Sequence, residues 1–466
     1  MKRRELANLG VPSGEAMNAG LVACGAAARA GSSGEDIRST ARSIVARPAD
    51  FTADPIWGDF AAKMLSEQTN PTPPVALRND LGYAAWGEEI DDAAHQQMRN
   101  ACKLPVSVAA ALMPDAHVGY GLPIGGVLAT EGAVIPYAVG VDIACRVKMT
   151  VFDLPPKALQ GEADRFANIL ERETKFGVGG GWRGGDRPTH DVLDEDWSVA
   201  RRAGVEKDHA WSQLGTSGSG NHFVEFGEVT FGENAAGVEP GSYVAVVSHS
   251  GSRGSGAKIC DYYSRLARDL HPGLPHDLSH LAWLPLDGVG AEYWAAMELM
   301  GKYAHANHDV IHRKISRALG AKVVYGIENH HNFAWKEMHG GREVIVHRKG
   351  ATPAGRGVYG YIPGSMIAPG YIVEGLGEPS SLDSASHGAG RRLSRTKARE
   401  SIRWSHLKAV LAEHDVTLLS AGLDESPHAY KDIEEVMDAQ AALVRRVAKF
   451  QPRIVKMAPE GERPED

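Results

Sequence analysis

The sequence is poor in cysteine, in long hydrophobic runs and in net positive charge. Its four cysteines, Cys24, Cys102, Cys145 and Cys260, are too few and too scattered for a disulfide framework or a CxxC zinc module. No uninterrupted apolar stretch approaches about 18 residues, so the sequence predicts no transmembrane helix. A formal net charge of -8 excludes nucleic-acid binding through an overall basic surface, so any such contact must be local. We therefore expect a cytoplasmic protein in a reducing compartment.

The composition is that of a folded protein with a substantial core. Hydrophobic residues make up 43% of the 466 residues and charged residues 23%, which is ordinary for a globular chain. Residues 1 to 75 are rich in alanine and polar helix formers and end in a proline-rich stretch, which predicts a helical N-terminal extension. Residues 76 to 466 are expected to form one large domain.

Several segments have a recognisable local pattern. Residues Ile90 to Ala101 read as a helix opened by acidic residues. A second helix is predicted from Tyr430 to Phe450, where apolar residues recur at helical spacing. Clusters of β-branched residues and tyrosine predict buried strands at Tyr243 to Val247, Lys322 to Tyr325, Val344 to Val346 and Tyr371 to Val373.

Histidines framed by glycine, serine and arginine recur in separate parts of the chain. His249 and His331 follow two of the predicted strands, and Cys145 lies three residues after Asp142. Imidazole, thiolate and carboxylate are the usual ligands of a transition metal, and this donor set alone favours zinc. We expect a metal site on loops at the strand ends, held by a rigid sheet.

His387 has a distinctive setting, since it precedes a Gly-Ala-Gly turn that allows close approach of a ligand to the backbone. Arg391 and Arg395 follow, and two arginines four residues apart could bind a phosphate group. A histidine beside such arginines is a candidate nucleophile toward phosphorus.

Two other patterns favour an ordinary structural reading. His305, His308 and His312 share one helical face, but without a glutamate in an HExxH arrangement they are expected to be surface or packing residues. The glycine cluster from Gly177 to Gly185 lacks the Gly-Lys-Ser/Thr ending of a phosphate loop, and we expect a surface loop there.

Seven motifs in order resemble those of the RtcB family of RNA-splicing ligases. They begin at about residue 81 and extend to the C-terminal region. They are Met113-Pro114-Asp115-Ala116-His117-Val118-Gly119-Tyr120-Gly121, Val139-Gly140-Val141-Asp142-Ile143, Leu214-Gly215-Thr216-Ser217-Gly218-Ser219-Gly220-Asn221-His222-Phe223, His249-Ser250-Gly251-Ser252-Arg253-Gly254, Arg348-Lys349-Gly350-Ala351, Ile362-Pro363-Gly364-Ser365-Met366 and His387-Gly388-Ala389-Gly390-Arg391.

This resemblance implies a GTP-dependent and manganese-dependent RNA ligase, with two Mn²⁺ ions. Such an enzyme joins an RNA end bearing a 3'-phosphate or 2',3'-cyclic phosphate to a 5'-hydroxyl end, in tRNA splicing or RNA repair. It implies an RtcB-like α/β fold, more exactly α+β: one large catalytic domain of mixed, largely antiparallel sheets surrounded by helices, with a metal-containing cleft. An activating partner protein is a further implied candidate, and no membrane association is implied.

The resemblance also implies roles for individual residues. His387 is the implied nucleophile that carries guanylate, and the implied metal ligands are Asp142, Cys145, His222, His249 and His331. Asn221, Arg253 and Arg395 are the implied contacts to the RNA phosphate. The implied nucleotide contacts are Asn221, His222, Phe223, Val224, Glu225, His331, Asn332, Pro363, Gly364, Ser365, Met366, Gly370, His387, Gly388, Ala389, Gly390 and Lys456.

The chain departs from the family pattern at a few places. Cys145 is followed by Arg146, where the family commonly has glycine, and Gly370 stands where the family has a serine. The family tends to end in Val-Lys-Gly, whereas here Met457 follows Lys456 and nine residues follow Met457.

Two other function classes remain open at the level of sequence. One is a metal-dependent phosphoesterase that acts on RNA or nucleotide ends without guanylate transfer. The other is a non-catalytic RNA or nucleotide binder with a decayed site, although a binder has no need of a nucleophile such as His387.

Overall fold

The computed structural model describes residues 1–12, 14–69, 73–233 and 235–464. By its internal contacts the chain divides into two units, one formed by Met1–Leu77 with Ser264–Trp283, the other by Arg78–Tyr263 with Leu284–Asp466. The predicted boundary at residue 75 stays a prediction. Within the described residues, no helix combines the length and the apolar character needed to cross a membrane.

The helices are given first, in chain order. They are α1 (Arg3–Asn8), α2 (Glu15–Arg29), α3 (Gly34–Ala46), α4 (Gly58–Thr69), α5 (Asp92–Cys102), α6 (Pro136–Val139), α7 (Lys157–Gly161), α8 (Ala163–Glu173), α9 (Arg201–Gln213), α10 (Arg253–Leu270), α11 (Val289–Leu319), α12 (Arg395–Ser401), α13 (Trp404–Glu413) and α14 (Ile433–Ala439).

The strands follow in the same order. They are β1 (Ala84–Ala85), β2 (Ser107–His117), β3 (Ile124–Thr130), β4 (Ala133–Val134), β5 (Arg146–Phe152), β6 (Phe223–Phe231), β7 (Gly241–Ser250), β8 (Leu284–Pro285), β9 (Val323–His330), β10 (Asn332–His339), β11 (Arg342–Lys349), β12 (Ala351–Pro353), β13 (Tyr359–Ile362), β14 (Gly370–Gly375), β15 (Ser384–Ser386), β16 (Thr417–Ser420) and β17 (Val444–Met457).

The smaller unit is built from short helices around an alanine-rich core. Ala16, Ala23 and Ala27 of α2 are buried with Phe60 of α4 in one hydrophobic cluster. Alanine at these positions allows helices to approach closely at little cost in side-chain entropy. Ser33 caps α3, since its hydroxyl accepts from a main-chain N–H in the first turn.

The larger unit contains two main sheets that are almost entirely antiparallel. One has the strand order β13-β14-β17-β6-β7-β5-β9, with β16 added in parallel beside β17; the other has the order β1-β2-β3-β11-β10. Buried valines from β5 and β7, among them Val147, Val151 and Val247, form a core cluster on the first sheet with Phe450 of β17. The predicted architecture of mixed, largely antiparallel sheets surrounded by helices in one large domain is confirmed.

Most of the local predictions agree with the structure. The predicted helix at Ile90 to Ala101 corresponds to α5, and the four predicted strands lie in β7, β9, β11 and β14. The strand predicted from Lys322 begins one residue later, at Val323.

The predicted helix from Tyr430 to Phe450 is wrong beyond its first half. α14 ends at Ala439, and from Val444 the chain runs as β17 between β14 and β6. The alternate residues Ala448, Phe450 and Pro452 are buried, which is strand periodicity. Pairing with two distant strands overrides the short-range helical spacing.

Substitution of Gly227 in β6 tests how closely β6 packs against β17. A Cβ there would overlap the main-chain oxygen of Gln451 and the ring of Phe450. We expect Gly227→Ala to lower the free energy of unfolding by about 1–3 kcal/mol, because overpacking forces the two strands apart. Gly326→Ala in β9 is the matched control, since its Cβ would meet only Met149 O at 3.8 Å. Equal midpoints of thermal unfolding for the two variants would contradict this account.

Candidate metal centre and its cavity

The register of four strands brings the predicted metal ligands to one edge of the larger sheet. Because the strands are antiparallel, the beginnings of β5 and β6 lie beside the ends of β7 and β9. Val147 pairs with His249, His249 pairs with Phe223, and Arg146 pairs with His330. Cys145, His222 and His331 adjoin those paired residues, so they meet although they are far apart in the sequence.

The donor atoms converge within a few ångströms of one another. Cys145 Sγ lies 3.5 Å from His222 Nε2 and 3.1 Å from His249 Nε2. His249 Nε2 is also 3.2 Å from His331 Nε2. The three donor atoms of Cys145, His222 and His249 form a buried group suited to one metal ion.

Main-chain carbonyls determine which nitrogen of two imidazoles faces the cluster. His222 Nδ1 lies 2.8 Å from Ser217 O, and His249 Nδ1 lies 3.1 Å from Asn221 O. A carbonyl only accepts, so each Nδ1 donates its proton and each Nε2 keeps a lone pair directed at the cluster. Metal-binding histidines in proteins commonly have this arrangement.

Asp142 completes the cluster and depends on a glycine beside it. Ser252 N donates to Asp142 Oδ1 at 2.9 Å, while Oδ2 lies 3.1 Å from His222 Nε2 without a hydrogen bond. A Cβ at Gly251 would overlap this carboxylate. Burial opposes ionisation, yet His222 and the other polar neighbours lower the pKa of Asp142 below its usual value. The carboxylate is therefore ionised at neutral pH.

Burial keeps two imidazoles of the cluster, those of His249 and His331, neutral. It lowers the pKa of His249 to about 3, and the neighbouring imidazoles of His222 and His387 lower that pKa further. Burial likewise lowers the pKa of His331 well below its ordinary value. Neutral imidazole is the form that binds metal.

The chemistry of these donors fits a bound transition metal. A buried carboxylate oxygen without a hydrogen bond, together with imidazole nitrogens and a sulfur a little over 3 Å apart, is the geometry of ligands around an ion. His331 Nδ1 is also buried without a hydrogen-bond partner. The donor set is compatible with several divalent metals, and the identity and number of ions stay predictions.

His387 lies next to this cluster and is oriented by a buried carboxylate. Asp115 Oδ2 accepts from His387 Nδ1 at 2.7 Å and from His387 N at 3.2 Å. The Nε2 lone pair of His387 is thereby left available, and its ring lies 4.8 Å from that of His331. Asp115 was not among the predicted site residues, although it stands in the first of the seven motifs; an acidic residue directly after an apolar run was the available sign.

One cavity joins the metal cluster to most of the predicted nucleotide contacts. The predicted residues that line it are Asp142, Cys145, Asn221, His222, Phe223, Glu225, His249, His331, Asn332, Pro363, Gly364, Ser365, Met366, His387, Gly388, Ala389 and Gly390. It is also lined by residues that were not predicted as site residues, including His117, Tyr361, Glu425 and Tyr430.

Three predicted site residues with cationic side chains do not line this cavity. Lys456 Nζ is held by Glu171 Oε2 at 2.7 Å and by two carbonyls of α8. Arg253 is buried and donates to Thr216 Oγ1 at 3.2 Å. Arg395 is ion-paired with Asp424 and Glu425. Their roles stay predictions.

Val224 and Gly370 also lie outside the lining of the cavity. Val224 is fully buried in the apolar cluster beneath β6. Gly370 begins β14, where a Cβ would overlap the hydroxyl of Tyr361, a residue that does line the cavity. The serine that is usual in the family would not fit beside this tyrosine without a rearrangement.

Arg146, the other departure from the family pattern, turns away from the thiol. Its guanidinium donates to Glu328 Oε1 at 3.2 Å and to Gly301 O at 3.1 Å. The cation is therefore neutralised by Glu328 on β9 and leaves the metal cluster open.

The predicted packing histidines of α11 occupy structural positions. His308 and His312 are buried, and both contact Ser248 Oγ, at 2.6 and 2.8 Å. His305, with Asp309 and Glu328, forms a second group whose donor atoms could hold a metal ion. Lys148 is already ion-paired with both carboxylates of that group, which disfavours a cation there.

Comparison with known proteins finds relatives that all belong to one family. The family model described as "tRNA-splicing ligase RtcB" matches residues 97–457. "RNA-splicing ligase RtcB" from Escherichia coli strain K12 is 34% identical over 404 residues, covering 77% of this chain and 92% of the relative. The protein of the same name from Mycobacterium tuberculosis is 33% identical, covering 76% and 98% respectively. "tRNA-splicing ligase RtcB" from Archaeoglobus fulgidus is 31% identical, covering 78% and 90%.

Removal of the Cys145 thiol should weaken metal binding. We expect Cys145→Ala to lower affinity for a divalent ion such as Mn²⁺ by at least about 10-fold, because a buried donor is lost. Isothermal titration calorimetry with Mn²⁺ measures this. Cys102→Ala is the control, because Cys102 is also buried but lies outside the cluster. Equal affinities in the two variants would contradict the assignment of Cys145.

The carboxyl of Glu225 should make stability fall as the pH rises. Burial raises its pKa from 4.5 to about 8. Between these values the folded chain binds more protons than the unfolded chain, so the free energy of unfolding decreases with rising pH. We expect Glu225→Gln to gain stability relative to the unmodified protein as the pH rises from 5 to 8, measured by chemical denaturation. If the difference in stability between Glu225→Gln and the unmodified protein did not change with pH, Glu225 would not be protonated in the folded protein.

Proposed function

Since the chain belongs to the RtcB family of RNA-splicing ligases, we propose that it is a GTP-dependent RNA ligase that carries guanylate on His387. Its substrates would be RNA ends bearing a 3'-phosphate or 2',3'-cyclic phosphate and RNA ends bearing a 5'-hydroxyl. The observation that carries this proposal is the position of His387. It is oriented by Asp115 and lines the same cavity as the metal donors.

The proposed reaction has three chemical steps after any cyclic phosphate has been opened. His387 Nε2 attacks the α-phosphorus of GTP, so an N–P bond forms, a P–O bond breaks and pyrophosphate leaves. An oxygen of the RNA 3'-phosphate then attacks the guanylate phosphorus and breaks the N–P bond. The 5'-hydroxyl finally attacks the activated 3'-phosphate, and GMP leaves.

Asp115 positions the nucleophile in the first of these steps. Its carboxylate holds the proton on His387 Nδ1 and fixes the ring, so that Nε2 presents its lone pair. When Nε2 forms the bond to phosphorus, the imidazole becomes cationic, and the buried carboxylate stabilises that charge.

Asp142, Cys145, His222, His249 and His331 would hold the metal, proposed to be two Mn²⁺ ions. A divalent metal bound there would neutralise phosphate charge and orient the reacting groups. The proposal of manganese depends on the family, since nitrogen and sulfur donors by themselves favour zinc.

The nucleotide would occupy the rest of the cavity. Glu225 lies at its buried side, and the carbonyl oxygen of its carboxyl group could accept from an N–H group of a guanine base. Asn332 is already oriented, since its Oδ1 accepts from Gly350 N at 2.8 Å. The loop Pro363 to Met366 and the turn Gly388 to Gly390 would supply main-chain contacts.

The terminal RNA phosphate would be bound by Asn221, Arg253 and Arg395. Arg395 is paired with Asp424 and Glu425, so a phosphate must compete with these carboxylates for the guanidinium. Such competition favours a group with a full negative charge and disfavours a neutral hydroxyl end.

The names of the relatives support a proposed cellular role. Those named above are RNA- or tRNA-splicing ligases, and we place this protein in tRNA processing or RNA repair, with an activating partner protein as a further candidate. Its four free cysteines fit the reducing cytoplasm.

Formation of the guanylate intermediate tests the proposal directly. The protein is incubated with Mn²⁺ and GTP labelled with ³²P at the α-phosphate, and then separated by denaturing electrophoresis. We expect label on the unmodified protein and none on His387→Ala, because the attacking nitrogen is lost. His339→Ala is the control, since His339 also contacts a carboxylate, Glu337 Oε2 at 2.8 Å, but outside the cavity.

An assay of RNA ends with the unmodified protein and with His387→Ala distinguishes a ligase from a phosphoesterase. A phosphoesterase would process RNA ends without GTP, would keep this activity in His387→Ala, and would not ligate RNA in either form. That result would contradict the proposed ligase function.

A further inference from the structure

A short segment next to the cavity carries a charge opposite to that of the whole chain. Residues 391 to 408 contain seven lysines and arginines and one acidic residue, Glu400, whereas the chain has a net charge of -8. The acidic partners of this segment, Asp424 and Glu425, neutralise two further charges. An excess of four positive charges remains.

The helices of this segment pack directly on the cavity wall. Ala398 of α12 and Leu407 of α13 are buried in one hydrophobic cluster with Met366, Val455 and Met457. Those last three residues line the cavity from the other side. The two helices therefore have one face fixed against the site and present their remaining residues outward.

Six of the seven cations of the segment fall into two groups, and the seventh, Lys408 of α13, is exposed. Arg391, Arg395 and Arg399 make ion pairs with the buried carboxylates of Asp424 and Glu425. The second group, Arg392, Lys397 and Arg403, is exposed. No acidic partner is recorded for these three side chains within the described part of the chain. Exposed cations outside the ion pairs of the fold are available to a ligand.

Aromatic side chains lie among these cations. The rings of His406 and His428 are 4.6 Å apart, and the charge of Arg392 contributes to lowering the pKa of His428, after burial and His406. Trp404 is half-buried, and its indole N–H donates to Glu460 Oε2 at 2.9 Å. Cations interleaved with flat rings are typical of surfaces that hold single-stranded nucleic acid.

We propose that Arg392, Lys397 and Arg403 bind backbone phosphates of the RNA strand outside the cavity, upstream of the end that is joined. We call these three residues the outer cations. The proposal rests on the proposed ligase function, which requires an RNA end inside the cavity. Because the overall charge repels RNA, the strand should leave the cavity over a local positive surface, and the outer cations adjoin the wall.

The test compares two triple variants with the same change in charge. One replaces the outer cations: Arg392→Gln, Lys397→Gln and Arg403→Gln. The control replaces two arginines and a lysine that are equally exposed but distant in the sequence: Arg342→Gln, Arg356→Gln and Lys322→Gln. Binding of a 12-nucleotide single-stranded RNA with a 3'-phosphate is measured by fluorescence anisotropy, at several salt concentrations, together with a 3-nucleotide RNA.

The outer-cation variant should bind the 12-nucleotide RNA roughly 10-fold more weakly than the control at low salt. Its slope of log affinity against log salt should be smaller by about 2, since each lost phosphate contact on a single strand contributes about 0.7. The loss should be smaller for the 3-nucleotide RNA, which cannot extend far beyond the cavity. Damage to the fold would instead reduce binding of both lengths alike and lower the midpoint of thermal unfolding.

Equal binding of the 12-nucleotide RNA by the two variants would overturn the proposal, and so would an equal loss for both RNA lengths. These results are independent of the labelling of His387. A protein that binds RNA over the outer cations but takes no label from GTP would keep this surface and lose the proposed ligase mechanism.

Discussion

The antiparallel register of β5, β6, β7 and β9 is the constraint on which the candidate site depends. A shift by one residue would turn His249 to the other face of the sheet and separate it from Cys145. Because the strand interiors are buried valines, such a shift would also expose the core. Hydrophobic burial therefore fixes the positions of the polar donors.

Polar groups are held in place in different ways in two parts of the cavity. In the metal cluster, burial keeps His249 and His331 neutral, so their lone pairs are available to an ion. Elsewhere on the cavity wall, Glu425 holds Arg391 in an ion pair, so this cation stays oriented in the absence of a phosphate. Both arrangements fix polar groups before a ligand arrives, which lowers the entropy cost of binding.

Features encoded in local sequence could be predicted, and those that depend on distant pairing could not. α5 and the four predicted strands have strong local patterns. The segment of β17 has mixed periodicity, and only its neighbours β6 and β14 decide its structure. Of the predicted site residues, most of those in glycine-rich loops line the cavity, whereas Lys456 turns toward Glu171, a partner that no short pattern reveals. Asp115 was missed because the partner that gives it a role, His387, is 272 residues away.

The place of β17 in the sheet has a consequence for how the protein is made. β17 lies between β14 and β6, and its Val455 and Met457 form part of the cavity wall, yet it is synthesised after every other strand of that sheet. During translation β6 and β14 each have an unpaired edge, and an exposed edge can pair with other chains. The nascent chain can thus contain the histidines and the cysteine of the cluster before it has a closed cavity. Completion of the sheet and closure of the cavity therefore both wait for the synthesis of this one strand.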